Sequence, residues 1–261
     1  MIRQTPSFSF PRQARPALRG AFMLIAALGL SACAREPAPQ GINDPNEAVN
    51  RHVHAFNRGV DKTLLRPAAS AYGSIVPQPL EQGISNFATN LDGPGDVVND
   101  LLQAKPGDAM HNTVRFVINT TIGIGGLFDP ATAMGVAGAP TDFGETLHVW
   151  GAKEGRYVEV PFLGPSTTRD FTGTLVDVAL NPLRLVLEAP ETYWMTGAKV
   201  ASTLGDRSRY SATFDSILYE SADSYAQARL LYLQNRRFEL GQTGGSANTS
   251  DDANFEDPYA Q

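Results

Sequence analysis

Proline and glycine cut the body of this chain into short amphipathic segments, and that punctuation limits its fold more than any other feature. Pro67, Pro79, Pro94 and Pro106 separate stretches whose apolar residues recur at helical spacing. The first stretch carries Val49, Val53, Phe56, Val60 and Leu64 behind a start signal of Asp44, Pro45 and Glu47, with Asp44 read as N-cap and Pro67 as the stop. The same spacing returns in Leu80, Ile84, Phe87 and Leu91, in Val97, Val98, Leu101 and Leu102, and in Met110, Val114, Val117 and Ile118, before Gly123-Ile-Gly-Gly126. Further helices are predicted over 141–150, 167–180, 182–188, 191–204, 207–220 and 223–240. Only Tyr157 to Val160 alternates like a strand. The expected fold is mainly α, a single domain of many short amphipathic helices with little strand.

No apolar run approaches the length of about 20 residues that a helix needs to cross hydrocarbon, so any embedding in a membrane must use amphipathic faces. Residues 1–32 read as an export signal: Arg3, Arg12, Arg15 and Arg19 without an acid, then the apolar run Ala21 to Leu30. Leu30-Ser-Ala-Cys33 follows and resembles the bacterial lipobox, which makes Cys33 the expected lipid anchor, carrying covalent acyl chains and no other cofactor. Ala34 in place of Asp favours the outer membrane, in its periplasmic leaflet. Residues 33–42 form a polar tether, 43–241 the folded domain, and 242–261 an acidic tail rich in Gly, Ser, Asn and Asp, expected to be disordered.

A lone cysteine rules out a disulfide framework and a cysteine-built metal site. The chain has 21 Lys+Arg against 27 Asp+Glu, and four of the arginines lie in the leader, so the body is more acidic than the overall charge of -6. That balance argues against a nucleic-acid partner.

Motifs along 43–241 are similar to those of the VacJ/MlaA family of outer-membrane lipoproteins. They are Asn43-Asp-Pro45 with Glu47 and Asn50-Arg51; Arg66-Pro67; Val76-Pro-Gln-Pro79; Ser85-Asn-Phe87; Arg115-Phe116 with Asn119-Thr120; Gly125-Gly126 with Asp129; Phe143-Gly-Glu-Thr-Leu147; and Pro161-Phe-Leu-Gly-Pro-Ser166 with Arg169-Asp170. The resemblance implies a ring of helices in the inner leaflet of the outer membrane, beside a trimeric porin, with a water-accessible pore. It implies removal of phospholipid from the outer leaflet and delivery to a soluble periplasmic lipid-binding protein, which keeps the membrane asymmetric. It also implies a gating hairpin beside Leu147 to Tyr157. There His148, Lys153 and Arg156 replace commoner Gly, Gly and Pro, while Gly151 and Gly155 remain. Gly151, Lys153, Gly155 and Arg156 are thus candidates for the gate, with Lys153 and Arg156 as candidate contacts for lipid headgroups.

Other signals carry less. His52 and His54 point to opposite sides of a helix and read as surface residues, not metal ligands. Gly123-x-Gly125-x-x-Phe128 fails the dinucleotide pattern and reads as a turn. No Gly-x-Ser-x-Gly elbow supports an envelope lipid hydrolase, so a non-enzymatic role is expected. A porin-associated scaffold without transport activity is the other alternative. Phe56, Phe87, Phe116 and Trp150 are expected in the core, with Tyr193 and Trp194 at a membrane interface.

Overall fold

The computed structural model describes residues 41–242, and the leader, Cys33, nearly all of the tether and the tail beyond Gln242 lie outside them. Helix α1 (Glu47–Val60) passes through a π-helical turn (Asp61–Leu65) straight into α2 (Arg66–Ile75). Pro67 is therefore not a stop. The Arg66 N–H reaches back five residues to the Asp61 carbonyl, and Pro67 falls in the first turn of α2, where a missing N–H costs little. Nor does Asp44 cap α1, which starts behind Asn46. Its carboxylate accepts from Asn50 Nδ2 (2.8 Å), Tyr225 and Arg229, because a cation and a phenol compete better for it than a local N–H.

Next come α3 (Gln78–Asn90), α4 (Gly93–Leu102), α5 (Pro106–Thr121), and the short α6 (Pro130–Ala133) and α7 (Phe143–Val149). Strand β1 (Tyr157–Val160) pairs antiparallel with β2 (Gly164–Thr167), Tyr157 opposite Thr167 and Val160 opposite Gly164. Helix α8 (Thr168–Leu180) leaves β2 directly, and the Thr167 hydroxyl caps it by accepting from the Asp170 N–H at 3.2 Å. Then α9 (Pro182–Val186), α10 (Glu191–Arg209), α11 (Ser211–Asp215), a second π-helical turn (Ser216–Glu220) and α12 (Ser224–Glu239) complete the described chain. The two helices predicted over 191–204 and 207–220 divide at Tyr210 instead, since α10 runs on through Gly205.

The packing neighbours close into a circuit. The π-turn after α1 joins α2, α2 packs on α10, α10 on α3, α3 on α5, α5 on α4, α4 on α7, α7 on α8, α8 on β2, and β1 returns to α1. At the α7–α8 crossing, a Cβ on Gly173 would lie 2.3 Å from the Gly144 nitrogen, so the two backbones come this close only because Gly173 lacks a side chain. The clasp that joins first to last elements is polar: Arg229 to Asp44, Arg51 Nη2 to Asp223 Oδ2 (2.8 Å) and Arg237 Nη2 to the Gly41 carbonyl (2.9 Å). Among the described residues buried apolar side chains are few, and Tyr157 of β1 clusters with Tyr225 and Leu233 of α12.

Candidate functional site

The helices are amphipathic in the sense opposite to that of a water-soluble bundle. On α1 and its π-turn, Asn50, His54 and Asp61 are buried with Asn57 half-buried, whereas Val49, Phe56 and Leu64 are 62%, 47% and 62% exposed. Phe56 is thus not in the core, and His54 is not on the surface. Phe87, Phe116 and Trp150 are half-buried. Helix α5 repeats the pattern, with Asn112 and Asn119 buried and Met110, Val114 and Val117 exposed. So does α4, with Asn99, Asp100 and Gln103 inside and Val98 and Leu101 outside. Apolar surface left in water costs about 25 cal/mol per Å². The same faces become favourable when hydrocarbon surrounds them, and no helix among the described residues is long and apolar enough to cross a membrane by itself.

Charge and hydrogen bonding hold the interior. Arg207 donates to both oxygens of buried Asp61 at 2.8 and 2.9 Å and to Asp215 at 2.7 Å, and Tyr219 adds a hydrogen bond to Asp61 at 2.7 Å. Burial alone would raise the Asp61 pKa, but these donors outweigh it and hold the carboxyl below its ordinary range. Around α7, Gln103 donates to Thr146, Thr146 to Asn99, and Asn99 to Asp177, each within 3.1 Å, so three helices share one polar chain. His54 joins Glu159 at 3.1 Å and Ser224 at 3.1 Å, linking α1, β1 and α12. That order resembles the relay of a hydrolase, although Ser224 walls none of the three cavities described below.

Two cavities open from this polar interior. One, of about 250 Å³, lies among α3, α4 and α5, with Asn90, Asp96, Asn112, Arg115 and Asn119 in its wall. The loop over it is strapped down by side chains: Arg115 donates to the Val136 carbonyl (2.8 Å), Asn112 to the Ala139 carbonyl (2.9 Å), and Asp96 accepts from the Thr141 N–H (3.3 Å). Burial pushes the Asp96 carboxyl up to about 7; the Thr141 N–H opposes this, and the negative charges of Asp92, Asp100 and Asp177 add to it. The other, of about 390 Å³, has Asp142, Asp170, Tyr232 and Arg236 in its wall, with Arg236 Nη2 at 2.7 Å from Asp142 and 3.3 Å from Asp170. A third, apolar cleft of about 420 Å³ lies beside α1 and the hairpin.

The candidate gate residues fall in the loop between α7 and β1, leading into the hairpin rather than forming its turn. Gly151 follows the end of α7 with φ +85°. Gly155 has φ +79°, and a Cβ there would lie 3.0 Å from Thr168 Cβ, so this glycine sits where another residue would be strained. Its carbonyl accepts from Asn43 Nδ2 at 3.0 Å, and the Arg156 carbonyl accepts from the Thr168 N–H at 2.9 Å. The side chains of Lys153 and Arg156 are exposed, and the three cavities are walled by other residues. Asp96, Asp61 and Arg207 stand in no motif of the sequence. Their signal was charge on the polar side of an apolar stripe, but their partners lie on distant segments.

The fold has relatives. The family model described as MlaA lipoprotein matches residues 42–239. A Shigella flexneri protein named intermembrane phospholipid transport system lipoprotein MlaA is 37% identical over 209 residues, 76% of this chain and 79% of the relative. The protein of that name from Haemophilus influenzae is 30% identical over 227 residues, 83% of this chain and 88% of the relative. A chain solved in work on the structural basis for maintenance of bacterial outer membrane lipid asymmetry superposes with a TM-score of 0.65 at 34% identity, covering 76% of this chain and 98% of that one. With a matching family model over most of its length and relatives of this closeness, the chain belongs to the MlaA lipoprotein family.

Proposed function

We propose that this protein is an outer-membrane lipoprotein that draws stray phospholipid out of the outer leaflet and passes it to a soluble periplasmic lipid-binding protein, so preserving lipid asymmetry. The observation that carries this is the inverted helices: Val49, Phe56 and Leu64 outside, Asn50, His54 and Asp61 inside, in a chain whose described helices cannot cross a bilayer singly. A phosphate crossing hydrocarbon unpaired costs several kcal/mol or more. A polar interior removes most of that barrier while acyl tails stay among apolar surfaces. The relatives' names and the solved chain's subject support the same reading.

In this proposal the acyl chains on Cys33 tether the domain to the periplasmic leaflet, and the apolar rim adds a second hold. A trimeric porin is the neighbour in the membrane. Gly151, Lys153, Gly155 and Arg156 form the segment through which the hairpin gates passage, with Lys153 and Arg156 as headgroup contacts. The test is outer-leaflet phospholipid in a strain lacking the protein. Restoring the wild-type chain lowers it, and Cys33→Ser fails to. A wild-type chain that leaves the lipid unchanged means a scaffold role instead. Lys153→Glu with Arg156→Glu is expected to slow removal; unaltered removal discards those two contacts and leaves the rest standing.

A further inference from the structure

The apolar cleft of about 420 Å³ shares no wall residue with the 250 Å³ cavity and only Leu163 and Pro165 with the 390 Å³ one. Its apolar wall includes Leu64 and Leu65 of the first π-turn, Phe162 of the hairpin, Leu218 of the second π-turn, and Ala228 and Leu231 of α12. The polar groups at its base are already satisfied: His54 by Glu159 and Ser224, Asp61 by Arg207 and Tyr219. An occupant therefore has no buried donor or acceptor to meet and must itself be apolar. An apolar cavity of about 150 Å³ accommodates one benzene ring. This cleft is nearly three times that size, which suits a hydrocarbon chain.

Its lip is held open at some cost. Phe162 sits at the hairpin turn with φ +66° and is 73% exposed. Left-handed backbone is disfavoured for a residue with a Cβ. Asn57 offsets this by accepting from the Phe162 N–H at 2.8 Å and donating to the Val160 carbonyl at 3.0 Å, and Phe56 meets the Phe162 ring edge-on at 5.2 Å. At the rim stands Arg58, exposed, its guanidinium 5.6 Å from the Tyr219 ring and in no ion pair among the described residues. Most other arginines here are paired, so a cation beside an apolar slot marks where an anionic head and a chain would lie together.

We propose that this cleft holds one acyl chain of a membrane phospholipid whose phosphate rests on Arg58. The inference rests on the reading that the exposed apolar faces lie in lipid. The full-length lipoprotein in phosphatidylethanolamine nanodiscs, carrying a trace of diazirine-tailed phosphatidylethanolamine, is irradiated and its adducts mapped; a diazirine-tailed diacylglycerol, which lacks phosphate, is run beside it. Adducts are expected to concentrate on Leu64, Phe162 and Leu218, by about fivefold or more over Val114 and Val200 on the outer faces. Ala228→Trp, which fills the cleft, lowers cleft adducts by at least about fivefold relative to the outer faces, and Leu231→Trp does the same should the first variant not fold. Arg58→Glu lowers them for the phospholipid only. Even labelling over all apolar faces, or cleft labelling that survives filling, overturns the proposal. Equal loss, or no loss, of both probes in Arg58→Glu overturns the phosphate contact and with it the phospholipid assignment. Such failures leave the cellular lipid assay untouched, so the two readings fall separately.

Discussion

Asp96 keeps its carboxyl in a cavity wall where burial disfavours its charge and Asp92, Asp100 and Asp177 add to that cost. The folded chain holds that proton to about 7, while the unfolded chain releases it near the ordinary 3.8. Between those values the folded state binds more protons, so stability falls as pH rises, and the loss is complete above the folded value. Asp96→Asn removes the loss and keeps an oxygen for the Thr141 N–H. Thermal melts should show the variant several degrees more stable than the parent at pH 8 and equal to it at pH 3, on the order of a few kcal/mol at the higher pH. Equal melting at pH 8 would mean the charge is already relieved by water in the cavity. Residues of this kind were hard to read from sequence. His54 looked like a surface histidine because its partner Glu159 is 105 residues away, and Asp44 looked like a cap because Arg229 and Tyr225 are farther still.

Helix α1 shows what periodicity can and cannot reveal. The spacing of Val49, Phe56 and Leu64 establishes one apolar face, and the three together mark a helix correctly. It does not say what that face meets, since an inward stripe in water and an outward stripe in lipid have the same period. The two faces should therefore respond differently to substitution. Replacing Val49, Phe56 and Leu64 with Ser should reduce binding to phospholipid vesicles by more than about tenfold, with little change in melting in detergent. Asn50→Leu should do the reverse. It removes a donor to Asp44 and the Tyr157 carbonyl and an acceptor for the Glu159 N–H, a loss of about 1–3 kcal/mol, read as a lower melting temperature with vesicle binding retained. Strand β2 was illegible for another reason. Gly164-Pro-Ser-Thr167 does not alternate and contains the two residues least suited to strands, and only pairing with β1 makes it one.

At the scale of the molecule, the order of short motifs from Asn43 to Asp170 pointed to the family, and the mainly helical fold followed from the prolines. The ring of helices came from the family resemblance and not from periodicity, because its closing contacts join α1 to β1 and α2 to α10 across long stretches of chain. One outer feature was legible, the aromatic pair near the start of α10: Trp194 is 75% exposed and Tyr193 lies beside it. The only other tryptophan, Trp150, is half-buried, its Nε1 donating to the Leu102 carbonyl at 2.9 Å. In vesicles carrying spin-labelled lipid, a chain with Trp194 alone should be quenched at shallow depth, and one with Trp150 alone much less. Absence of quenching at Trp194 would move that corner of α10 out of the bilayer interface. The clasp of Arg237 on Gly41 and of Arg229 on Asp44 has its own mechanical outcome. Both extremities of the folded body leave from one knot, so a leash fastened at either end tugs the hoop at the same spot and can swing it without prising it apart.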